Sequence, residues 1–357
     1  MERKKIAVFI RSFSNGGAEK QSILLAKALQ DRHDTWLFVL DKKPLLEKHL
    51  KTAEAAGVRL VFLEGNILRK AWTYYRFARQ HKLDLSIAHL PSDTFFSAIV
   101  GRLAGVRIVM GGLRNAWVAR HKLRTLRLMH NWVLSRSISN SHAGKAYLDA
   151  HGFRAAKTLV MPNGIEIAQG MMERPAPAVY EIITVGRFVA QKGYRTALQA
   201  LAALHADYSL PVDVHYHIVG WGEQEAEIRQ WIAELGLEAQ VTVHINPPDL
   251  PELYQRAHVY LCSSDFEGLS NTVMEAMTWS LPVVATDAGD NRQLVAGGQN
   301  GYIVPIGDHA ALAAGLYEVL ADDNRRNDMG VSSYARIQAG YSYEAFRANY
   351  LRLVQEV

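Results

Sequence analysis

The residues best able to do chemistry lie in the segment Asp265-Phe266-Glu267-Gly268-Leu269-Ser270-Asn271-Thr272-Val273-Met274-Glu275-Ala276-Met277. Its two carboxylates, Glu267 and Glu275, stand eight residues apart, one in a loop and one inside a predicted helix. Between them Ser270-Asn271-Thr272 opens that helix, where unpaired backbone N–H groups attract anions and phosphate above all. Carboxylates beside such a cradle accept hydrogen bonds from sugar hydroxyls without neutralising the phosphate. A second loop, Gly186-Arg187-Phe188-Val189-Ala190-Gln191-Lys192-Gly193, adds two cations. Arginine grips phosphate through a planar fork and lysine acts as a point charge. Phosphate and sugar recognition together suit a nucleotide-sugar. A purely structural alternative exists for each feature. Thr272-x-x-Glu275 reads equally as a capping box, and loop cations are often only solvated.

These residues need elements to place them. In the second half, apolar runs at Ile182–Val185, His217–Gly220, Val241–Ile245, Val259–Cys262 and Leu281–Ala285 read as four or five parallel strands, each followed by a helical pattern. Ligands of such sheets sit beyond the carboxyl ends of the strands, and Gly186, Gly220 and Glu267 all fall there. The first half repeats the logic, with strands expected at Lys5–Ile10, Thr35–Leu40, Arg59–Leu63, Leu85–His89 and Val106–Met110. Gly16-Gly17 follows the first of these. The pair makes a tight turn or allows close backbone approach to a ligand, but the spacing is not Gly-x-Gly-x-x-Gly. His89 ends a strand, where a lone histidine is usually a structural hydrogen-bonder. Ala168 to Val179, with Gly170, Pro175 and Pro177, reads as a linker. Tyr341 to Val357 reads as a helix with Phe346, Tyr350, Leu353 and Val354 on one face.

Composition bounds the answer. A chain of 357 residues, 49% hydrophobic and 21% charged, suits two globular α/β domains. The single cysteine, Cys262, lies in an apolar run, which excludes a disulfide scaffold and fits a reducing compartment. The apolar run Ile6 to Ile10 is too short for a signal peptide. Arg102 and Arg107 interrupt the longest candidate for a membrane span. The net charge of +5 conceals an asymmetry. Residues 1–175 hold 29 basic and 13 acidic residues, net +16; residues 176–357 hold 11 and 22, net −11. Between Thr94 and Leu148 there are nine basic residues and no acidic one. A basic helix is expected over Trp117–Trp132, and Arg69–Arg79 mixes aromatics with positive charge. Either segment could lie on an anionic bilayer or be an ordinary surface helix with its aromatics in the core. Attraction between the two halves would also account for the opposite signs. Nucleic acid is not an expected partner, because the positive half carries no reading motif.

The chain resembles retaining glycosyltransferases of family 4. The resemblance rests on Ser14-Asn15-Gly16-Gly17-Ala18-Glu19, Ser139-Asn140-Ser141, Pro162-Asn163-Gly164-Ile165, Val185-Gly186-Arg187 with Lys192-Gly193, Glu267-Gly268-Leu269-Ser270-Asn271 with Glu275-Ala276-Met277, and Asn300-Gly301-Tyr302-Ile303-Val304. It implies the α/β GT-B fold, two Rossmann-like doubly wound domains facing across a cleft. An acceptor-binding domain would span 1–170 and a nucleotide-sugar-binding domain 171–338, with a C-terminal helix over 339–357 packing back on the first. By the same resemblance Arg187 and Lys192 hold the donor diphosphate, Glu275 accepts the ribose hydroxyls, and Glu267 contacts the donor sugar near the reacting carbon. Gly220 lines the donor site, the backbone of Leu269, Ser270 and Asn271 covers the phosphates, and Gly16 and Gly17 close onto them. Catalysis would rest on Glu267, Arg187 and Lys192, with neither metal nor cofactor.

Two departures stand out. Many relatives place a histidine after the strand at 106–110, where this chain has Met110-Gly111-Gly112-Leu113-Arg114-Asn115; Arg114 or Asn115 would then face the acceptor and sugar. After the strand at 241–245, near the nucleobase, relatives usually carry glycine, and this chain has Asn246-Pro247-Pro248. The expected activity is retaining transfer of a hexose or N-acetylhexosamine from a nucleotide-sugar, uridine-linked by expectation, to a lipid-linked or cell-surface glycan. The site would be cytoplasmic, with possible peripheral attachment to an anionic membrane. A sugar-nucleotide epimerase and a non-catalytic nucleotide-sugar-binding subunit share the architecture and are the alternatives.

Overall fold

The computed structural model describes residues 3–14, 16–112 and 120–357. Two compact units result: Met1–Gly164 with Tyr343–Val357, and Ile165–Ser342. The first unit holds seven strands, β1 (Lys5–Ile10), β2 (Asp34–Val39), β3 (Arg59–Phe62), β4 (Leu85–Ala88), β5 (Ile108–Gly112), β6 (Arg136–Ser139) and β7 (Thr158–Val160). They form one parallel sheet in the order β3-β2-β1-β4-β5-β6-β7. The second holds β8 (Val179–Arg187), β9 (Asp213–Trp221), β10 (Val241–Ile245), β11 (Val259–Cys262), β12 (Val283–Thr286) and β13 (Gly301–Val304), in the order β10-β9-β8-β11-β12-β13.

Both sheets are covered on two faces, so their strands are apolar on both sides. β1 sends Ile6, Val8 and Ile10 into one core and Ala7 and Phe9 into another. β8 does the same with Tyr180 and Ile182 against Ile183 and Val185. Each sheet also reverses its winding at one point, between β1 and β4 and between β8 and β11. Chains diverge there and leave a crevice at the carboxyl ends.

The structure departs from the sequence reading in several places. β6, β7 and β13, with the short and partly polar or glycine-led sequences Arg136–Ser139, Thr158–Val160 and Gly301–Val304, were not expected as strands. β5 starts at Ile108 because Val106 still caps the preceding helix through its N–H to Gly101 O at 2.9 Å. The expected helix at 117–132 is helical over Arg120–Leu128 and continues as the π-helix Met129–Val133; residues 117–119 lie outside the described residues. The stretch from 168 to 179 is a strap on the second unit rather than a linker. The buried Arg174 guanidinium donates to Trp279 O at 2.8 Å, Ser280 O at 3.1 Å and Tyr254 O at 3.2 Å. Burial pulls that guanidinium down to about 10. The chain therefore changes unit at Gly164 and Ile165, ahead of 170. It changes back at Ser342 and Tyr343, after 338. From there the helix Tyr343–Gln355 buries Phe346, Tyr350, Leu353 and Val354 in the first unit. Among the described residues no helix is long and apolar enough to cross a membrane.

One buried charge gives a test of the first unit. Asp93, in the first turn of the helix Pro91–Leu103, is fully buried. Its Oδ1 accepts from Ser92 Oγ at 3.1 Å, and its Oδ2 meets no hydrogen-bond partner among the described residues. Burial pushes the carboxyl up from 3.8 to about 7. The folded chain thus holds this proton more tightly than the unfolded chain, so stability falls as pH rises through that window. Asp93→Asn should match wild type below pH ~4 and exceed it at pH ~8 by on the order of a few kcal/mol. Denaturant unfolding across that range checks this, and a pH-independent difference would contradict it.

Candidate functional site

The four charged residues singled out by the sequence all belong to the second unit. Arg187 is the last residue of β8, exposed, and paired in register with Trp221 at the end of β9. A short 3-10 turn, Ala190–Lys192, then leads to Gly193 and the helix Tyr194–Asp207. Gly193 sits at φ 62°, and an added Cβ would stand 2.2 Å from Ser263 O. Only glycine allows both the left-handed turn and that approach.

The approach matters because it joins the loop after β8 to the loop after β11, across the winding reversal of the sheet. Asp265 N donates to Gln191 O at 2.8 Å, Gln191 Nε2 to Phe266 O at 2.7 Å, and Ser263 Oγ to Lys192 O at 2.9 Å. Within this lacing Lys192 Nζ lies 2.6 Å from Glu267 Oε1, with both side chains mostly buried. Burial alone would lower the Lys192 pKa. The attraction and hydrogen bond of Glu267 outweigh it and hold the ammonium above its ordinary value, although Arg187 pulls the other way. Lysine here is a committed cation. This pairing was not expected from the sequence, which assigned both Arg187 and Lys192 to phosphate alone.

Glu267 is held further. Ser264 Oγ donates to the same Oε1 at 2.8 Å. Thr286 Oγ1, at the end of β12, donates to Ser264 O at 2.5 Å, and Asn291 Nδ2 donates to Thr286 O at 3.0 Å. With Oε1 taken by Lys192 and Ser264, Oε2 is the oxygen left to meet a ligand. Ser264, Thr286 and Asn291 were missed by sequence reasoning. Their roles depend on which strands are neighbours, and the short polar run Ser263-Ser264 was the one available hint.

Ser270 is the N-cap of the helix Asn271–Thr278 and accepts from Val273 N. Thr272 therefore lies inside the helix, and Glu275 stands beyond the third helical position. This removes the capping-box reading of Glu275, whose side chain is half-buried one turn along. Leu269 is buried beneath the same turn. Gly289, at φ 58°, closes the far side: an added Cβ would stand 2.3 Å from Glu267 O and 2.4 Å from Gly268 O. Gly220 has a packing reason, since a Cβ there would stand 1.8 Å from Gly186 O of the neighbouring strand. Trp221 and Ile245 remain exposed at the ends of β9 and β10, followed by Asn246 at φ 44°.

In the first unit Gly16 is the N-cap of the helix Gly17–Gln30, just beyond β1. Its N–H donates to Ser14 O at 3.1 Å, and Ser14 Oγ hydrogen-bonds Glu19. An added Cβ at Gly16 would meet the Glu19 carboxylate at 2.5 Å. Arg114 and Asn115 lie outside the described residues.

Comparison with known proteins identifies the family of the chain. The family described as Glycosyl transferases group 1 matches residues 175–336, and the one described as Glycosyltransferase Family 4 matches residues 15–169. One relative is the N-acetylgalactosamine-N,N'-diacetylbacillosaminyl-diphospho-undecaprenol 4-alpha-N-acetylgalactosaminyltransferase of Campylobacter jejuni. It is 25% identical over 345 residues, which cover 90% of this chain and 92% of that protein. The lipopolysaccharide core biosynthesis glycosyltransferase LpsE of Rhizobium meliloti is 26% identical over 53% of this chain and 54% of its own length. Against several such curated relatives the match spans about half of their length or less. Among solved structures, HepE of Anabaena in complex with UDP aligns with a TM-score of 0.86 at 21% identity, covering 99% of this chain and 100% of that one. HepE in complex with UDP-glucose aligns at 0.84 and 22%. The two family matches together run through both units, and with the GT-B fold they place this chain among the group 1 glycosyl transferases of the family 4 type.

Proposed function

We propose that this chain transfers a hexose or N-acetylhexosamine from a UDP-linked donor to a glycan acceptor, with retention at the anomeric carbon. The observation that carries the reading is the Lys192–Glu267 pair, 2.6 Å apart at the winding reversal of the second sheet, with Arg187 on the neighbouring strand end. The HepE complexes with UDP and with UDP-glucose support a uridine donor. The diphospho-undecaprenol in the name of the Campylobacter relative supports a lipid-linked acceptor, met at the cytoplasmic face of a membrane.

In this reading Arg187 and Lys192 face the diphosphate, the N-terminus of the helix Asn271–Thr278 adds backbone N–H groups, and Glu275 accepts the ribose hydroxyls. Trp221 and Ile245 offer an apolar floor for a flat base. Glu267 presents Oε2 to the sugar. The bond from the anomeric carbon to the phosphate oxygen breaks as the bond to the acceptor oxygen forms on the same face. The acceptor proton passes to the departing diphosphate oxygen. The cations stabilise the charge that grows on that leaving group, so the proposal includes no metal and no cofactor.

Three measurements test it. In a thermal-shift screen UDP-sugars should raise the melting temperature by mass action, and Glu275→Ala should weaken that response about tenfold or more. Arg187→Ala should lower transfer about 10²–10³-fold with the fold intact, the scale of losing one donor to developing charge; normal turnover would remove it from the site. Ser264→Ala should lower transfer roughly tenfold or more, the cost of a hydrogen bond to a charged group, with threonine partly restoring it. Release of an epimer from the donor alone, without acceptor, would replace transfer by epimerisation.

A further inference from the structure

One face of the first unit has no part in the donor chemistry. The helices Ile67–His81 and Pro91–Leu103 and the π-helix Met129–Val133 pack on the same side of the sheet, and their inner residues share one core with Phe9 and Val109. The helix Pro91–Leu103 lies in the middle. A Cβ added to its Gly101 would stand 3.3 Å from Tyr74 Oη on one side, and Arg102 Nε donates to Val133 O at 3.2 Å on the other.

The outer surface of this layer is unusual. Leu68 and Trp72, Ile99 and Leu103, and Leu128 and Trp132 form three pairs at helical i, i+4 spacing, one pair per helical segment. All six are between 48% and 77% exposed. Trp72 stacks on Tyr75 with centroids 5.7 Å apart, and the Arg154 guanidinium covers the Trp132 ring at 4.8 Å. Single exposed apolar residues are ordinary, but three adjacent pairs mark an interaction surface.

The charges around them identify the occupant. Arg76 and Arg79 continue the stripe of Leu68 and Trp72, and Arg124 lies one turn before Leu128; all three are exposed. No Asp or Glu occurs from residue 65 to 83 or from 94 to 148. A second copy of the chain would bring the same positive charge against itself, which opposes self-association here. Large apolar side chains ringed by arginine, with tryptophans among them, match the interface of an anionic bilayer.

We infer that this helical face docks on an anionic phospholipid surface, with Trp72, Leu103 and Trp132 entering the headgroup boundary and the arginines meeting lipid phosphates. The inference deepens the proposed reading and rests on it for its purpose, since it would set the first unit where a lipid-linked acceptor lies.

Co-sedimentation of the full chain with vesicles of phosphatidylcholine alone, and with phosphatidylglycerol added, tests the surface. Wild type should bind the anionic vesicles and lose binding in high salt. The triple variant Trp72→Ser, Leu103→Ser, Trp132→Ser should bind at least tenfold more weakly. Its UDP-induced thermal shift should stay unchanged, which reports a folded chain and an intact donor site. The quieter variant Arg76→Gln, Arg124→Gln should weaken binding and flatten its salt dependence. Equal binding by wild type and triple variant overturns the inference. So does binding that ignores phosphatidylglycerol, a dimer that the triple variant abolishes, or displacement from vesicles by duplex DNA at equal phosphate concentration. A missing UDP shift in wild type would instead strike the donor-site reading and leave the vesicle result standing by itself.

Discussion

The second unit depends on two opposite charges held together out of water. Desolvating an ammonium and a carboxylate costs several kcal/mol for each ion, and mutual attraction offsets that only with close geometry and further hydrogen bonds. Lys192 and Glu267 meet both conditions, through their 2.6 Å contact and the Ser264 hydroxyl on the shared oxygen. Such a pair adds little net stability. Removing one partner leaves the other charge buried and alone, so the arrangement fixes the relative position of two loops more strictly than an apolar contact would. The backbone bonds between Gln191 and Asp265 and from Gln191 to Phe266 carry the same constraint along the chain.

Close backbone approach makes this possible, and glycine supplies it where it is needed. Gly193 lets one loop rest on Ser263 O, and Gly289 lets the segment after β12 rest on Glu267 O and Gly268 O. Glu267 is thereby held from below by Ser264, from one side by Lys192, and at its own backbone by the loop beyond β12. A donor or analogue entering the crevice would meet a carboxylate already oriented, so little reorganisation remains when charge develops. The capping arrangement extends this. Because the Ser270 hydroxyl serves the helix terminus, the N-terminal cap of this helix does not depend on Glu275, which stands one turn further on.

Much of the fold was legible in the sequence. β1, β10 and β11 match their expected limits, β8 and β9 contain theirs, and the runs expected for β2, β3 and β4 overshoot the observed strands by one residue at the carboxyl end, because apolar runs in a parallel sheet mark the strands well and their last residue poorly. β6, β7 and β13 escaped because Arg136-Ser137-Ile138-Ser139 is mostly polar, Thr158-Leu159-Val160 is only three residues, and Gly301-Tyr302-Ile303-Val304 opens on a glycine, so none of them reads as an apolar run as the equally short β3, β4, β11 and β12 do. The strap at 168–179 escaped because glycine and proline signal irregular backbone, whether loose or docked. Its anchor is the buried Arg174, a residue type usually found exposed. At the site, the sequence singled out Arg187, Lys192 and Glu267, and the structure laces the loops that carry them together through Gln191, Asp265 and Phe266. That Lys192 would pair with Glu267 could not be read, because it follows from β8 lying beside β11, a non-consecutive pairing that spacing does not encode.

The charge of the first unit follows from where its carboxylates go. Asp34 serves Arg3 and Arg59, Asp41 serves Arg11 and Lys70, and Asp93 is buried with a strongly raised pKa. Among the described residues of the helical layer over Phe9 and Val109, Lys70 pairs with a carboxylate and the exposed Arg76 and Arg79 do not. Uncompensated surface arginines repel one another, and a sequence selected only for folding would gain by interspersing acids among them. Their absence over 65–83 and 94–148, on the same segments that expose Leu68, Trp72, Leu128 and Trp132, is a cost to the isolated unit. Apolar exposure and like-charge repulsion are both relieved by one class of surface, an anionic one with an apolar interior. Each feature alone would be an ordinary surface irregularity. Their coincidence on adjacent helices is what gives the face a direction.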